Sequence, residues 1–284
     1  TSHTIDYLKA RDTTNPFCLF LSWGPPHHPY RLVPEEYLDM YNPDTIKGRQ
    51  NCHDVPREDL WGYYAQTTFL DDQFQRLLDV VDEMGLADDT IIVFSSDHGD
   101  MHGSQGLYKK QWPWNEAIKI PFVIRYPGLV PAGKEIEAPI NVIDMMPTLL
   151  GLAGLPLPNT MEGVDLSVYL TGAQDNPPES VLIMNPCPFS IGDTRGYDQY
   201  PDYKGERLEY RGVITDRYTY VRTIDRPWLL YDNLKDPYQL ENLIDDPDCK
   251  RIRTHLETLM QEHMAAIGDE LMHREHYYDR FNIV

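Results

Sequence analysis

Thr90-Ile91-Ile92-Val93-Phe94-Ser95-Ser96 is an unbroken β-branched and apolar run that halts abruptly at Asp97-His98-Gly99-Asp100. So short a run bounded by turn residues predicts a buried strand. Its lack of polar alternation predicts cover on both faces, as in a parallel sheet. Phe17-Cys18-Leu19-Phe20-Leu21-Ser22-Trp23 reads the same way and stops at Gly24-Pro25-Pro26-His27-His28-Pro29-Tyr30, a sequence that forces a loop. Ile120 to Tyr126 predicts a third such strand, halted by Pro127-Gly128. Between them, apolar residues from Leu60 to Val81 recur at spacings of three and four. They predict a long helix over 58–84, with Gly85 as its stop. A second helix is predicted around 144–153, with Pro147 tolerable only in its first turn.

Strands alternating with helices indicate an α/β fold, a mixed sheet flanked by helices, over residues 1–175. Ligands of such sheets bind beyond the carboxyl ends of the strands, where His27 and Asp97-His98 both fall although 70 positions apart. The pattern changes at the polar, Pro-rich stretch Gln174 to Glu179. Short strands are predicted at 181–184, 210–215, 218–222 and 228–231, with Asp216-Arg217 closing a hairpin, and a last helix at 250–267. Residues 176–284 therefore read as a smaller α+β domain on an antiparallel sheet.

The charge of −20, from 25 Lys and Arg against 45 Asp and Glu, disfavours a nucleic-acid partner, because no broad basic face is available. It also means that an anionic substrate needs local compensation by a cation or a basic side chain. No apolar stretch is long enough for a transmembrane segment. Cys18, Cys52, Cys187 and Cys249 contain no C-x-x-C pair. Cys18 is expected to be a buried thiol, and the redox compartment stays open.

Asp97 and His98 are an acid and an imidazole in one tight turn, able to reach a single divalent cation. The competing reading makes Asp97 a cap and His98 a surface loop residue. Asp100 and His102 read as loop residues around the pair. Four ordered blocks then carry a resemblance: PFCLFLSWGPPHHPY at 16–30, IIVFSSDHGDMHGSQGLYKKQWPWNEAIKIPFVIRYPG at 91–128, NVIDMMPTLLGLAG at 141–154, and the stretch 211–243 containing GVITDRYTYVR and LYDNLKDPYQLENL. The chain resembles the sulfatase branch of the alkaline phosphatase superfamily.

That resemblance implies sulfate ester hydrolysis on an alkaline-phosphatase-like fold. It implies Asp97 and His98 as ligands of a divalent cation, calcium most often and magnesium as the other choice. Lys110 would contact the sulfate group, and His27 of the Pro-His-x-Pro loop would stand at the scissile ester oxygen. All four are expected to converge on one anion. Gln105 departs from the His often found there. The family nucleophile is a formylglycine from a Cys/Ser-x-Pro-x-Arg motif, and no Cys or Ser here fits it. That motif and the paired aspartates completing the metal site are expected in an N-terminal part outside this sequence, which the fold would also need. Asp71-Asp72 lies inside the long helix and reads as surface charge; Arg211 and Arg222 read as exposed or in structural ion pairs. The family implies a small-molecule or carbohydrate sulfate ester as substrate, and a periplasmic, secreted or lysosomal-type compartment. A phosphodiesterase or phosphonate monoester hydrolase of the same superfamily is the alternative activity. A catalytically inactive fragment or binding module is the alternative of another class.

Overall fold

The computed structural model describes residues 1–186 and 209–282, and these divide into two compact units, Thr1–Thr90 and Ile91–Val284. The first unit holds α1 (Ser2–Ala10), α2 (Glu35–Leu38) and α3 (Arg57–Glu83). The period of apolar positions produces α3 within a residue of its predicted limits. Leu60, Ala65, Leu70, Val80 and Val81 line its buried side. Asp71 and Asp72 are exposed on it, and Asp72 Oδ2 accepts a hydrogen bond from the Tyr37 hydroxyl at 2.8 Å.

Residues 17–23 do not form the predicted strand; no ladder engages them among the described residues. An extended segment outside a ladder lacks the cross-strand pairing that would cover it evenly: Phe17, Leu21 and Trp23 are half-buried, Phe17 against Arg11 and Trp23 against Thr1, but the rest is open. Phe20 is accordingly 90% exposed, and Cys18, expected to be buried, is an exposed free thiol. His27 follows an unpaired segment and not a strand end. Cys52 and Cys249 likewise form no disulfide among the described residues, and Cys187 lies outside them.

The second unit opens with β1 (Ile92–Ser95), which pairs antiparallel with β2 (Phe122–Arg125) in a two-stranded sheet. The expected parallel, doubly covered strand is not observed. Every residue of β1 is half-buried, and Val123 opposite Phe94 is 60% exposed. An apolar run states that a strand is apolar, but not the direction of its neighbour. Between the two strands lies the short helix α4 (Asn115–Ile118). α5 (Val142–Leu152) is started by a capping box in which the Asn141 N–H donates to Asp144 Oδ2 at 2.8 Å. That cap moves the start two residues earlier than expected, so Pro147 falls beyond the first turn. α6 (Ser167–Leu170) follows.

β3 (Ser180–Asn185), β4 (Tyr210–Thr215), β5 (Tyr218–Thr223) and β6 (Pro227–Asp232) form an antiparallel meander in sequence order. Asp216-Arg217 closes the β4–β5 hairpin without glycine. The Thr215 hydroxyl accepts the N–H groups of Arg217 and Tyr218 at 3.1 and 2.8 Å. α7 (Lys250–Ile267) has the predicted bounds, and α8 (Arg274–Phe281) ends the described chain. No helix of the described residues is long and apolar enough to cross a membrane.

Strand alternation divides the core of this unit in two. Val213, Tyr220 and Leu230 face Leu256, Met260 and Met264 of α7. Val221, Leu229 and Tyr231 face Met101, Leu107, Trp112 and Trp114, which come from the segment between β1 and β2. Each large apolar side chain buried there contributes about 1.5–3 kcal/mol. The segment after Asp97-His98 is thus anchored to the meander.

Candidate active site

The Asp97-His98 turn leaves β1 directly. The Ser96 hydroxyl donates to the His98 carbonyl at 2.9 Å, and the His98 N–H donates to Asp97 Oδ1 at 3.0 Å. Gly99 is required next. Its N–H donates to the Ala117 carbonyl at 2.8 Å, and a Cβ there would stand 2.0 Å from the Glu116 carbonyl oxygen. β1 and α4 thereby grip the turn from both ends.

His98 Nδ1 lies 2.7 Å from the Gly99 carbonyl oxygen. A carbonyl only accepts, so Nδ1 carries the proton and the neutral ring presents a lone pair at Nε2. Nε2 stands 3.5 Å from Asp97 Oδ2. Two ligands about 2.4 Å from one ion at right angles are separated by roughly this distance. The Asp97 side chain is 85% exposed and that of His98 31%. The pair fits a divalent cation as two members of a larger ligand set. Among the described residues no cluster of three or more His, Cys, Asp and Glu could hold a metal alone. No helix follows Asp97 directly for it to cap; among the described residues its Oδ1 accepts only the adjacent His98 N–H and a long contact from the Ser96 hydroxyl at 3.5 Å.

Residues 100–111 form a tight loop that carries Lys110, which is half-buried, near its end. Asp100 Oδ1 ties the loop together, accepting the N–H groups of His102 at 3.2 Å and Lys109 at 3.0 Å. The Met101 N–H donates to the Lys109 carbonyl at 2.9 Å, and Gly103 donates to Leu107 at 2.8 Å. His102, Gln105, Lys109 and Gln111 all adopt positive φ, between 42° and 75°. Non-glycine residues seldom do so, and such strain concentrates at functional loops. The sequence hinted at this geometry only through Gly103 and Gly106. Gln105, at the position where His is often found, turns its amide to the Gln239 carbonyl at 2.8 Å.

His27 belongs to the Thr1–Thr90 unit, whereas Asp97, His98 and Lys110 belong to the other. Its Nδ1 lies 2.9 Å from the His28 carbonyl oxygen, and its N–H donates to the Gly24 carbonyl at 3.1 Å. Here too the carbonyl accepts, so Nδ1 carries a proton, and the His27 residue is exposed. α3 holds this loop. The buried Gln66 donates to the Pro29 carbonyl at 3.0 Å, and Gly62 lets the helix approach the Tyr30 backbone. His28 stacks on His27 with ring centroids 4.4 Å apart.

Arg211 and Arg222 are structural. Arg211 is fully buried and pairs with Asp269, and Arg222 Nη1 meets Glu257 Oε1 at 2.7 Å.

Residues 1–155 match the family described as Sulfatase, and residues 103–266 match the C-terminal region described for N-sulphoglucosamine sulphohydrolase. An ulvan-active sulfatase of Formosa agariphila is 37% identical over 283 residues, covering 97% of this chain and 53% of its own length. The chain spans about half the length of the curated relatives it matches. A solved structure from work on the metabolism of multiple glycosaminoglycans by Bacteroides thetaiotaomicron superposes with a TM-score of 0.81 at 29% identity. It covers 94% of this chain and 58% of that one. The phosphonate monoester hydrolase of Agrobacterium radiobacter shares the fold, with a TM-score of 0.78 at 24% identity over 93% of this chain and 59% of its own. The α/β, alkaline-phosphatase-like class expected from the sequence agrees with these neighbours. With its first 155 residues, more than half its length, matching one family, the chain belongs to the sulfatases.

Proposed function

We propose that this chain supplies the cation-binding pair, the sulfate-contacting lysine and the proton donor of a sulfuric ester hydrolase. The observation that carries the reading is the Asp97 Oδ2–His98 Nε2 pair, 3.5 Å apart, with the imidazole oriented by the Gly99 carbonyl. A divalent cation, calcium or magnesium, held by Asp97 and His98 would offset the negative charge of a sulfate group. Lys110 adds a fixed positive charge for the sulfate oxygens, stabilising charge that shifts as the S–O bond breaks. His27, acting as the doubly protonated imidazolium with its Nδ1–H engaged by the His28 carbonyl, would give its Nε2 proton to the departing alkoxide and be left as the neutral Nδ1–H ring. The attacking group of the family is a formylglycine. No Cys or Ser in this sequence has Pro two positions on and Arg four positions on, so these residues bind and transfer protons but supply no nucleophile.

The substrate is a sulfated carbohydrate on this reading. The ulvan-active relative and the neighbour from glycosaminoglycan metabolism support that class. The test joins residues 1–284 to a family segment bearing Cys/Ser-x-Pro-x-Arg and measures aryl sulfate turnover. Lys110→Ala and His27→Ala should each lower kcat/KM by about 10²–10³. Unchanged rates in both remove these residues from the mechanism. The fold shared with a phosphonate monoester hydrolase favours a second reading. Sulfate and phosphonate esters of one alcohol, compared in the same protein, separate the two by their kcat/KM ratio.

A further inference from the structure

We infer that Gln239 is a positioning residue that holds both the Asp97-His98 turn and the Lys110 loop from within the C-terminal meander unit. This rests on the reading of Asp97, His98 and Lys110 given above. Gln239 is 1% exposed and sits at a φ of 54°. A buried, left-handed glutamine is costly unless its amide is fully engaged, and here it is. Oε1 accepts the Asn115 N–H at 3.0 Å. Nε2 donates to Asn233 Oδ1 at 3.1 Å and reaches the Thr219 hydroxyl of β5 at 3.5 Å. The Gln239 carbonyl accepts the Gln105 amide at 2.8 Å.

These contacts lead along two routes. Asn115 is the first residue of α4, whose Ala117 carbonyl holds Gly99 and whose Glu116 carbonyl packs on it. That route fixes the Asp97-His98 turn. Gln105 stands in the middle of the loop that Asp100 closes onto Lys109, which fixes the backbone bearing Lys110. One residue, 124 positions from Asn115 and 134 from Gln105, therefore sets both groups against the same support, the first through its side-chain Oε1 and the second through its backbone carbonyl. Catalysis depends steeply on such placement, because misplacement by about 1 Å costs roughly 10²-fold.

Hydrogen exchange on the 284-residue chain tests this. In Gln239→Ala, which removes the side-chain bond to Asn115 and keeps the carbonyl that holds Gln105, the amides of Gly99 and Asn115 should exchange at least about tenfold faster, while those of Met260 and Met264 in α7 stay within about twofold. Uniform acceleration would mark a general loss of stability and overturn the inference, as would unchanged exchange at Gly99. The second route is tested by Gln105→Ala, also the fallback should Gln239→Ala fail to fold; it removes the bond to the Gln239 carbonyl together with the longer contact to the Tyr238 carbonyl at 3.5 Å. It should speed Met101 and Gly103 and spare Asn115; unchanged Met101 overturns the inference. In the sulfatase assay above, Gln239→Ala should lower kcat about tenfold with KM held within about twofold; an unchanged kcat beside a wild-type protein that turns over overturns it. If the unsubstituted protein shows no sulfatase activity, the functional reading fails, and the exchange pattern still decides the role of Gln239.

Discussion

Asp97 Oδ2 and His98 Nε2 lie 3.5 Å apart with no other ligand-bearing side chain built around them among the described residues. An open pair of that kind binds a cation only together with donors supplied elsewhere. In the protein joined to the nucleophile-bearing segment, EDTA should abolish turnover and added calcium restore it. His98→Ala should raise the calcium needed for half-maximal rate by about 10–100-fold. Calcium titration of the chelated enzyme measures this, and full activity in EDTA would remove the cation from the reading.

Arg211 is fully buried, and its guanidinium bonds Asp269, with a second contact at 3.0 Å and a third to the Tyr277 hydroxyl at 2.8 Å. Arg211→Met leaves the Asp269 carboxylate without its counter-charge and should cost about 3–5 kcal/mol. Adding Asp269→Leu should recover part of that loss. Urea denaturation of the three proteins provides the comparison.

Acid should act on the same contact. Burial pushes the Asp269 carboxyl up, but the hydrogen bonds from Arg211 and Tyr277 outweigh it and hold the group below its usual range. Glu257 is lowered likewise, with burial opposed by Tyr220 and Arg222. A carboxyl lowered on folding stabilises the protein fully above its unfolded value of about 3.9–4.3, and this is lost as pH falls through the folded value. The urea midpoint should therefore decline below about pH 4, less steeply in Arg211→Met.

Gly62 sits where α3 crosses the His27 loop, and an added Cβ would come within 2.6 Å of the Tyr30 carbonyl carbon and oxygen. Backbone cannot yield as a flexible side chain would. Gly62→Ala should destabilise the first unit by about 1–3 kcal/mol, despite the better helix propensity of alanine. Thermal melting and amide shifts over residues 27–32 would register both effects, and a stabilised variant would contradict the packing.

Thr215→Val keeps the shape of the β4–β5 turn and removes the acceptor for two N–H groups. A loss of about 1–2 kcal/mol is expected, largely absent in Thr215→Ser. Chemical denaturation distinguishes the two variants.

Local patterns in the sequence carried α3, α7 and all four strands of the meander, because period and β-branched runs encode elements whose faces are buried. They failed where the outcome depends on distant chain. Residues 17–23 have strand chemistry but join no ladder among the described residues, and Phe20 and Cys18 are exposed. β1 and β2 pair antiparallel because pairing direction is settled by topology and not by apolarity. At the site, Asp97, His98, Lys110 and His27 were singled out by residue type and resemblance. The positive φ of Gln105 and Lys109, and the link from Gln239, were invisible because each is enforced by groups more than about a hundred positions away or by closure of the loop itself.

Met101 and Leu107 are fully buried against the meander, and this limits how the loop can be reused. Residues 97–111 are not a portable cassette. Transplanted into another α/β scaffold, they would arrive with the ligating couplet and the lysine but without the surface that makes left-handed backbone affordable. Diversification at 105 or 110 must keep pace with changes near 219, 233 and 239. New ester specificities in such a scaffold would then arise more readily from segments that do not rest on the meander.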